Sequence, residues 1–264
     1  MPDFDTSVPH IARVYDYWLG GKDNFAADRE LGERTLQAYP NLVFSVRANR
    51  AFLARTVRFL AAEAGIRQFL DIGTGLPLVG ATHEVAQSLA PECRIAYVDN
   101  DPMVLAHARA MMTSAPGGAI GFVDADVRDA DAIVTGAGAT LDFSLPVAVL
   151  LLFTLSYVED AAEAAAVVPA LMAAVPSGSY AAGYHLASDL DPVLEEAARQ
   201  WNKMMPAQPI TLRSRAEVAG LVAGLELVPP GLVPITEWRP DPDAPGDSSQ
   251  ARAVPVHGVV ARKP

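Results

Sequence analysis

Residues 68–77, Q-F-L-D-I-G-T-G-L-P, constrain what this chain can fold into more than any other stretch. Residues 68–72 read as a short buried strand, apolar on both sides of one aspartate, and the strand stops at Gly73. Two glycines separated by one residue let a backbone turn sharply and approach a ligand that a side chain would keep away. A helical pattern resumes over 79–89, so N–H groups at a helix start are available to the same ligand. The next apolar stretch, 94–98, ends in Asp99, where a carboxylate can take the two hydroxyls of a ribose. A strand, a Gly-x-Gly turn, a helix and a second strand ending in an acid describe a nucleotide-binding crevice.

A dinucleotide fingerprint has a third glycine three residues after Gly75, and this chain has Leu78 there, preceded by Pro77. Without a pyrophosphate to cradle, only the first part of the turn is needed. An adenosyl ligand with an amino-acid tail, S-adenosylmethionine, fits that description. The third strand, 119–123, runs into D-A-D-V-R-D. There Asp126 can accept the adenine amino group while the Val127 N–H meets a ring nitrogen; Asp126 also reads as the N-cap of a helix over 128–134.

Composition narrows the function classes. The 264 residues, 51% hydrophobic, are enough for one large α/β domain with additions. The net charge of −11 argues against the phosphate neutralisation on which nucleic-acid binding relies. The single cysteine, Cys93, reads as a small buried hydrophobe and points to a reducing cytoplasm. The first ten residues show no apolar leader, and the longest apolar run, 145–155, is too short to span a bilayer.

Ahead of the first strand lies an all-helical lead of about 65 residues. Ser7 reads as the cap of a first helix with Pro9 in its first turn and Ile11, Val14, Tyr15, Trp18 and Leu19 at helical spacing. Gly20-Gly21 end it, and the polar loop Lys22, Asp23, Asn24, Phe25 leads into a helix over 28–39. Asn41 reads as the cap of a long helix to Ala64, with Phe52, Leu53, Val57 and Leu60 on one face, and Arg47, Arg50, Arg55 and Arg58 on a solvated one. Gly65 fits the residue after its end. Further on, strands are expected over 147–153, 180–186 and 254–261, with a sixth region at 226–238 broken by Pro229-Pro230-Gly231. Residues 240–250, rich in proline, aspartate and serine, read as a disorder-prone surface loop. The expected organisation is a helical cap, residues 1–65, on a cofactor-binding core, residues 66–264.

Several blocks together resemble a family of S-adenosyl methyltransferases abundant in actinobacteria: A-R-V-Y-D-Y-W-L-G-G-K-D-N-F-A-A-D, R-A-N-R-A-F-L-A-R, Q-F-L-D-I-G-T-G-L-P, A-T-H-E-V-A-Q, Y-V-D-N-D-P-M-V-L-A-H-A-R and P-G-L-V-P-I-T-E-W-R-P-D. The resemblance covers nearly the whole chain. It implies the class I methyltransferase fold, a Rossmann-like seven-stranded sheet, mostly parallel with an antiparallel last strand. It also implies S-adenosylmethionine at the carboxyl ends of the strands, and leaves the methyl acceptor open. Carried over residue by residue, Asp71, Gly73 and Gly75 surround the methionine moiety. Asp99 takes the ribose, Asn100 lines the adenine side with Asp126 and Val127, and Phe153 to Leu155 lie against the cofactor. Related enzymes often carry a histidine after the fourth strand; this chain has Ser156-Tyr157, which removes one candidate base.

The acceptor side is read from fewer signals. His185, near the end of the fifth strand, is expected to face the pocket, as a functional group or as a hydrogen-bonded structural histidine. Tyr15, Lys22, Asn24, Phe25 and Tyr157 are the other substrate-side candidates, with core packing as the alternative for the aromatics. His83-Glu84 either order the glycine loop or sit in a polar first turn. No metal site is expected, because consecutive residues such as Asp99, Asn100 and Asp101 rarely converge on one ion. Gly20-Gly21 read as a hinge, making residues 7–40 a lid over the methyl group, or else a permanently docked extension. A small-molecule acceptor follows from the acidic surface. Two rivals stay open: a non-catalytic cofactor-binding sensor or partner subunit, and a NAD-dependent oxidoreductase.

Overall fold

The computed structural model describes residues 5–241 and 254–264. Three helices come first: α1 (Ile11–Trp18), α2 (Ala26–Ala38) and α3 (Leu42–Arg58), the last continued by a π-helical turn, Phe59–Glu63. Gly65, at φ +71°, ends this run in the left-handed conformation that a residue without Cβ adopts most cheaply. The α1 start differs from expectation. His10 is its N-cap, its Nδ1 accepting the Ala12 N–H, while Ser7 bonds Asp5.

The core alternates strand and helix: β1 (Gln68–Ile72), α4 (Thr82–Leu89), β2 (Arg94–Asp99), α5 (Pro102–Met111), β3 (Ala119–Asp124), α6 (Ala130–Ala137), β4 (Ala148–Leu152), α7 (Ala161–Ala173) and β5 (Tyr180–Leu186). Then come α8 (Pro192–Met204), α9 (Arg215–Leu221) and three last strands, β6 (Glu226–Leu227), β7 (Val233–Pro234) and β8 (Val256–Arg262). The described residues form one sheet in the order β3-β2-β1-β4-β5-β8-β6, with β7 also on β8. The first five strands pair in parallel; β8 runs antiparallel to β5, β6 and β7. This is the expected fold with one difference. The Pro229-Pro230-Gly231 interruption divides the sixth region into two short strands, because proline has no N–H to give a ladder.

Strand alternation builds the two core layers. In β1, Phe69 packs toward α3 and α4 with Phe52, Leu60, Ile95 and Tyr97, while Leu70 and Ile72 pack toward α6 and α7 with Val98, Ile133, Val149 and Leu171. Covering both faces explains why all five residues of β1 are buried. Between β1 and β4 the strand order reverses, so the loops leaving their carboxyl ends diverge and open a crevice.

Two helix starts move. α4 begins at Thr82 rather than 79, and Val79 stands in a loop, 94% exposed. Asp129, not Asp126, caps α6, accepting the Ala132 N–H, which leaves Asp126 outside the helix. Most of the 240–250 stretch lies outside the described residues.

Candidate functional site

The two glycines after β1 do different work. Gly73, at φ +83°, gives its N–H to Val98 O (2.8 Å), and a Cβ there would run into the Thr154 side chain. Thr154 in turn donates to Ile72 O (2.6 Å), so Gly73 permits a close β1–β4 contact. Gly75, at φ +63°, donates its N–H to Asp99 Oδ2 (3.0 Å), and a Cβ there would meet nothing within 4 Å. Gly73 therefore serves packing, and Gly75 serves the turn at an open edge.

That edge borders a cavity of about 430 Å³ at the strand ends. Asp71, Gly73, Gly75, Asp99, Asn100, Asp126, Val127 and Phe153 all line it. Leu155 does not: it is buried in the α6–α7 core layer, and its carbonyl accepts Arg213 Nη1 (2.8 Å). Leu152 and Thr154 stand at the cavity instead. Phe153 holds φ +79°, a backbone state that costs a non-glycine residue about 1–3 kcal/mol and recurs where a ligand is clamped. Its ring sits 5.3 Å from Tyr157 and 6.2 Å from Tyr184, centroid to centroid.

The acids of the site fall into two groups. Asp126 is gripped by Arg128 through Nε (2.8 Å) and Nη2 (2.9 Å), and that guanidinium holds its carboxyl down at about 2. Asp101 caps α5 through the Met103 N–H (2.7 Å) and meets His10 Nε2 at 2.5 Å; the His10 bond leads the causes that lower its pKa. Asp71 and Asp99 are short of donors. Burial pushes Asp71 up to about 6, and its carboxylate receives one donor among the described residues, the Thr82 hydroxyl (2.6 Å). Burial also raises Asp99, whose oxygens accept the Gly75 and Asp101 N–H groups at 3.0 Å each and keep further lone pairs for a ligand. Arg50, half-buried on α3, lines the same cavity, and its charge partly offsets the effect of burial on Asp71. It donates to the Val79 and Gly80 carbonyls (3.2 and 2.8 Å) and has no carboxylate partner among the described residues.

Zwitterion and diol recognition is what this donor set can do. A buried carboxylate with few donors attracts an ammonium, a guanidinium that has no carboxylate partner attracts a carboxylate, and a strand-end aspartate accepts two hydroxyls. The amino-acid tail and ribose of S-adenosylmethionine supply those groups. The Val127 N–H, without a partner among the described residues, adds a donor beside Asp126. The helix start contributes less than its sequence implies: the His83 N–H is already given to Tyr97 Oη (2.8 Å), and the His83 ring bonds the same hydroxyl. Glu84 accepts the Gly80 N–H (2.6 Å), so this pair orders the loop.

On the acceptor side Tyr15 and Tyr157 line the cavity, joined by Tyr184. Burial raises all three phenols above their ordinary range, so they stay protonated. His185 is turned away from the cavity. Arg213 Nη1 meets its Nε2 at 2.7 Å and its Nδ1 meets Leu186 O at 2.9 Å, which fixes a neutral ring with the proton on Nδ1; burial lowers its pKa to about 4. Lys22, Asn24 and Phe25 also lie off the cavity wall. Asn24 Nδ2 and the Asp23 N–H both donate to Asp16 Oδ2 (2.8 and 2.9 Å), and the Phe25 N–H donates to Asp28 Oδ2 (2.8 Å). Gly21 gives its N–H to Asp16 O, and a Cβ there would enter the Asp16 carboxylate. The Gly20-Gly21 pair is thus part of a tied loop rather than a loose hinge.

Arg50 is the residue that sequence reasoning missed. It falls on the 46–50–53–57 stripe of α3 with buried Val46, Leu53 and Val57, and that spacing marks it as inward-leaning. Arg55 is likewise committed, to the Trp238 and Ile235 carbonyls (3.0 and 2.6 Å), while Arg47 and Arg58 are solvated as expected. Tyr184 and Gln208, also on the wall, reach it only through the fold. Among the described residues no set of three or more His, Cys, Asp or Glu side chains is arranged to hold a metal ion, and no helix is long and apolar enough to cross a membrane.

A profile described as S-adenosyl methyltransferase matches residues 1–264. The crystal structure of a duf574 family protein from Streptomyces avermitilis is 41% identical with a TM-score of 0.93, covering 98% of this chain and 99% of that one. A candidate methyltransferase from Thermobifida fusca is also 41% identical, with a TM-score of 0.87, covering 99% and 97%. The N-methyltransferase NodS from Bradyrhizobium japonicum, in complex with S-adenosyl-l-homocysteine, shares the fold at 15% identity and a TM-score of 0.50, over 83% of this chain and 88% of that one. No protein of curated function matches the chain.

Proposed function

The chain belongs to the S-adenosyl methyltransferase family, and from that premise we propose how its crevice carries out S-adenosylmethionine-dependent methyl transfer. Asp71 and Arg50 hold the ammonium and carboxylate of the methionyl tail, and Asp99 accepts the ribose hydroxyls. Asn100, Asp126 and the Val127 N–H read the adenine, and Phe153 packs against the cofactor. The glycines set the turn that lets the loop approach. When bound, S-adenosylmethionine supplies an activated methyl group, so the protein's task is alignment and exclusion of water. Residues 1–65 cap the strand ends for that purpose over the core of residues 66–264. His10 straps the cap to Asp101, and Tyr15 and Arg50 reach from it into the cavity.

A small-molecule acceptor fits a cavity of this size beside an acidic surface, and the lone buried thiol, Cys93, fits a reducing cytoplasm. The observation that carries the reading is that Asp71 and Arg50 line one cavity: a carboxylate pushed up by burial, and a guanidinium without a carboxylate partner among the described residues. Calorimetric titration with S-adenosylmethionine and with NAD tests it. Binding of the first alone, weakened in Arg50→Met, supports the reading; unchanged binding by Arg50→Met removes the tail assignment. A sensor role differs by lacking turnover, and slow formation of S-adenosylhomocysteine with any acceptor would exclude it.

A further inference from the structure

The loop between β1 and α4, residues 73–81, is anchored at its two ends and lightly held between them. At the front, the Gly73 and Thr74 N–H groups go to Val98 O (2.8 and 3.2 Å), and Leu76 is buried against Met103 and Val104. At the back, the Gly80 N–H goes to Glu84 Oε2 (2.6 Å). Over 77–79 the backbone receives one hydrogen bond among the described residues, at Val79 O, and the Val79 side chain is 94% exposed. Few bonds and little burial mark a segment of low local stability. Leu78, in the middle of that segment, lines the cavity. The donor to Val79 O is Arg50. It gives Nη2 to Val79 O (3.2 Å) and to Gly80 O (2.8 Å), so one amino group of the guanidinium spans two successive carbonyls. A guanidinium carries N–H donors on all three nitrogens, and those on Nε and Nη1 have no partner among the described residues. The Arg50 charge acts on Asp71, Tyr15, Tyr97 and Tyr184, which line the same cavity.

Resting on the methyltransferase reading above, we propose that Arg50 makes the 77–80 loop respond to the ligand's amino-acid tail: a carboxylate taken by Nε or Nη1 fixes the guanidinium, and Nη2 passes that constraint to the Val79 and Gly80 carbonyls. A free arginine side chain samples many rotamers, and each bond it makes leaves less entropy to lose in the next. The two contacts of the guanidinium therefore support each other, and by linkage a settled loop raises the affinity for the carboxylate in turn. Leu78 is then set against the ligand only when the tail is present. Arg50 is in this sense a specificity-determining residue. It separates S-adenosyl amino acids from nucleosides that share the adenosine and the sulfur but lack the tail, and it does so by more than its own ion pair. Lysine cannot replace it, because a compact ammonium on a flexible stem does not hold a carboxylate and two carbonyls in one fixed plane.

A nitroxide spin label at position 79 of the full chain reads the loop directly. Val79→Cys replaces an exposed side chain, and the chain's own thiol, Cys93, is buried and pushed up to about 11, so the label goes to residue 79. Saturating S-adenosylhomocysteine should immobilise the label, while saturating 5′-methylthioadenosine, which lacks the tail, should leave it as mobile as without ligand. In Arg50→Lys the label should stay mobile with both ligands. The calorimetric preference for S-adenosylhomocysteine over 5′-methylthioadenosine should shrink by about tenfold in that variant, within the range of ordinary coupling between sites. Melting temperature reports whether Arg50→Lys is folded, and the two-ligand comparison in the chain with Arg50 stands without it. A label immobilised equally by both ligands, one unmoved by S-adenosylhomocysteine, or one still immobilised by it in Arg50→Lys would each overturn the inference. Failure of the wild-type chain to bind S-adenosylhomocysteine would instead overturn the methyltransferase reading beneath it.

Discussion

Two pairs of aspartates, one in the N-terminal helices and one at the strand ends, differ in how the chain satisfies their oxygens. In the cap, Asp28 is fully buried and receives the His10 and Phe25 N–H groups and Arg13 Nε, each at 2.8 Å; Asp16 receives the Asp23 N–H and Asn24 Nδ2. These carboxylates spend their lone pairs on the chain itself and tie α1 to α2. At the strand ends, Asp71 receives one donor and Asp99 two, both line the cavity, and both carboxyls are pushed up by burial. Burial makes such ions costly, and a ligand that brings donors offsets that cost. Burial alone does not separate the two pairs; spare acceptor capacity at a cavity does.

The largest effect that sharpens this contrast is on the cap. Asp28→Ala removes the buried acceptor of the His10 and Phe25 N–H groups and of Arg13 Nε, and should destabilise the fold by about 3–5 kcal/mol, a fall of about 6–20 °C in melting temperature for a chain of this size. Folded Asp28→Ala should bind S-adenosylmethionine nearly as well as wild type. A cofactor-affinity loss without a stability loss would break the comparison.

Next is Asp99→Ala, which should weaken S-adenosylmethionine by about 1.5–3 kcal/mol, the range for losing charge-assisted hydrogen bonds. Its melting temperature without ligand should change little. A titration matching wild type would remove the ribose assignment.

Asp71 supplies a pH signature. Its folded pKa of about 6 lies above the ordinary value of 3.8, so the stability it contributes is present below about pH 4 and is lost as pH rises through 6. At neutral pH the ion is held at a cost that a ligand ammonium offsets. Affinity for S-adenosylmethionine should therefore fall as pH drops below 6, by up to about tenfold per unit. Asp71→Asn should flatten the dependence over that range, and a slope surviving in the variant would assign it to another group.

The smallest effect expected is in the cap loop. Because Asp16 ties Gly21, Asp23 and Asn24, and Asp28 ties Phe25, hydrogen exchange over 20–25 should be slow and nearly the same with and without S-adenosylmethionine. A large gain in protection on binding would restore a mobile lid.

What the sequence reveals follows from how local each feature is. Residues 68–77 and 99 belong to one strand-turn-helix-strand unit, so their spacing is enough to place the crevice. Tyr184 and Gln208 come to the cavity from far along the chain, and nothing in their own neighbourhoods signals it. Arg50 was legible on the buried stripe of α3, but a charged residue among arginines reads as solvent-facing. His185 misleads for the converse reason. Its place near a strand end suggests the pocket, whereas Arg213, 28 residues later, draws its ring into the core. The loop Lys22, Asp23, Asn24, Phe25 looks like a ligand segment because its polar partners, Asp16 and Asp28, lie inside helices where acids are usually solvated.

The most direct measurement is parallel thermal denaturation of wild type, Asp28→Asn and Asp99→Asn with and without saturating S-adenosylmethionine. Asp28→Asn should melt much earlier yet keep the ligand-induced upward shift. Asp99→Asn should melt at or above the wild-type temperature without ligand and lose most of the shift. If both variants melt early and shift alike, the division between acids that fold the chain and acids that bind the ligand is contradicted.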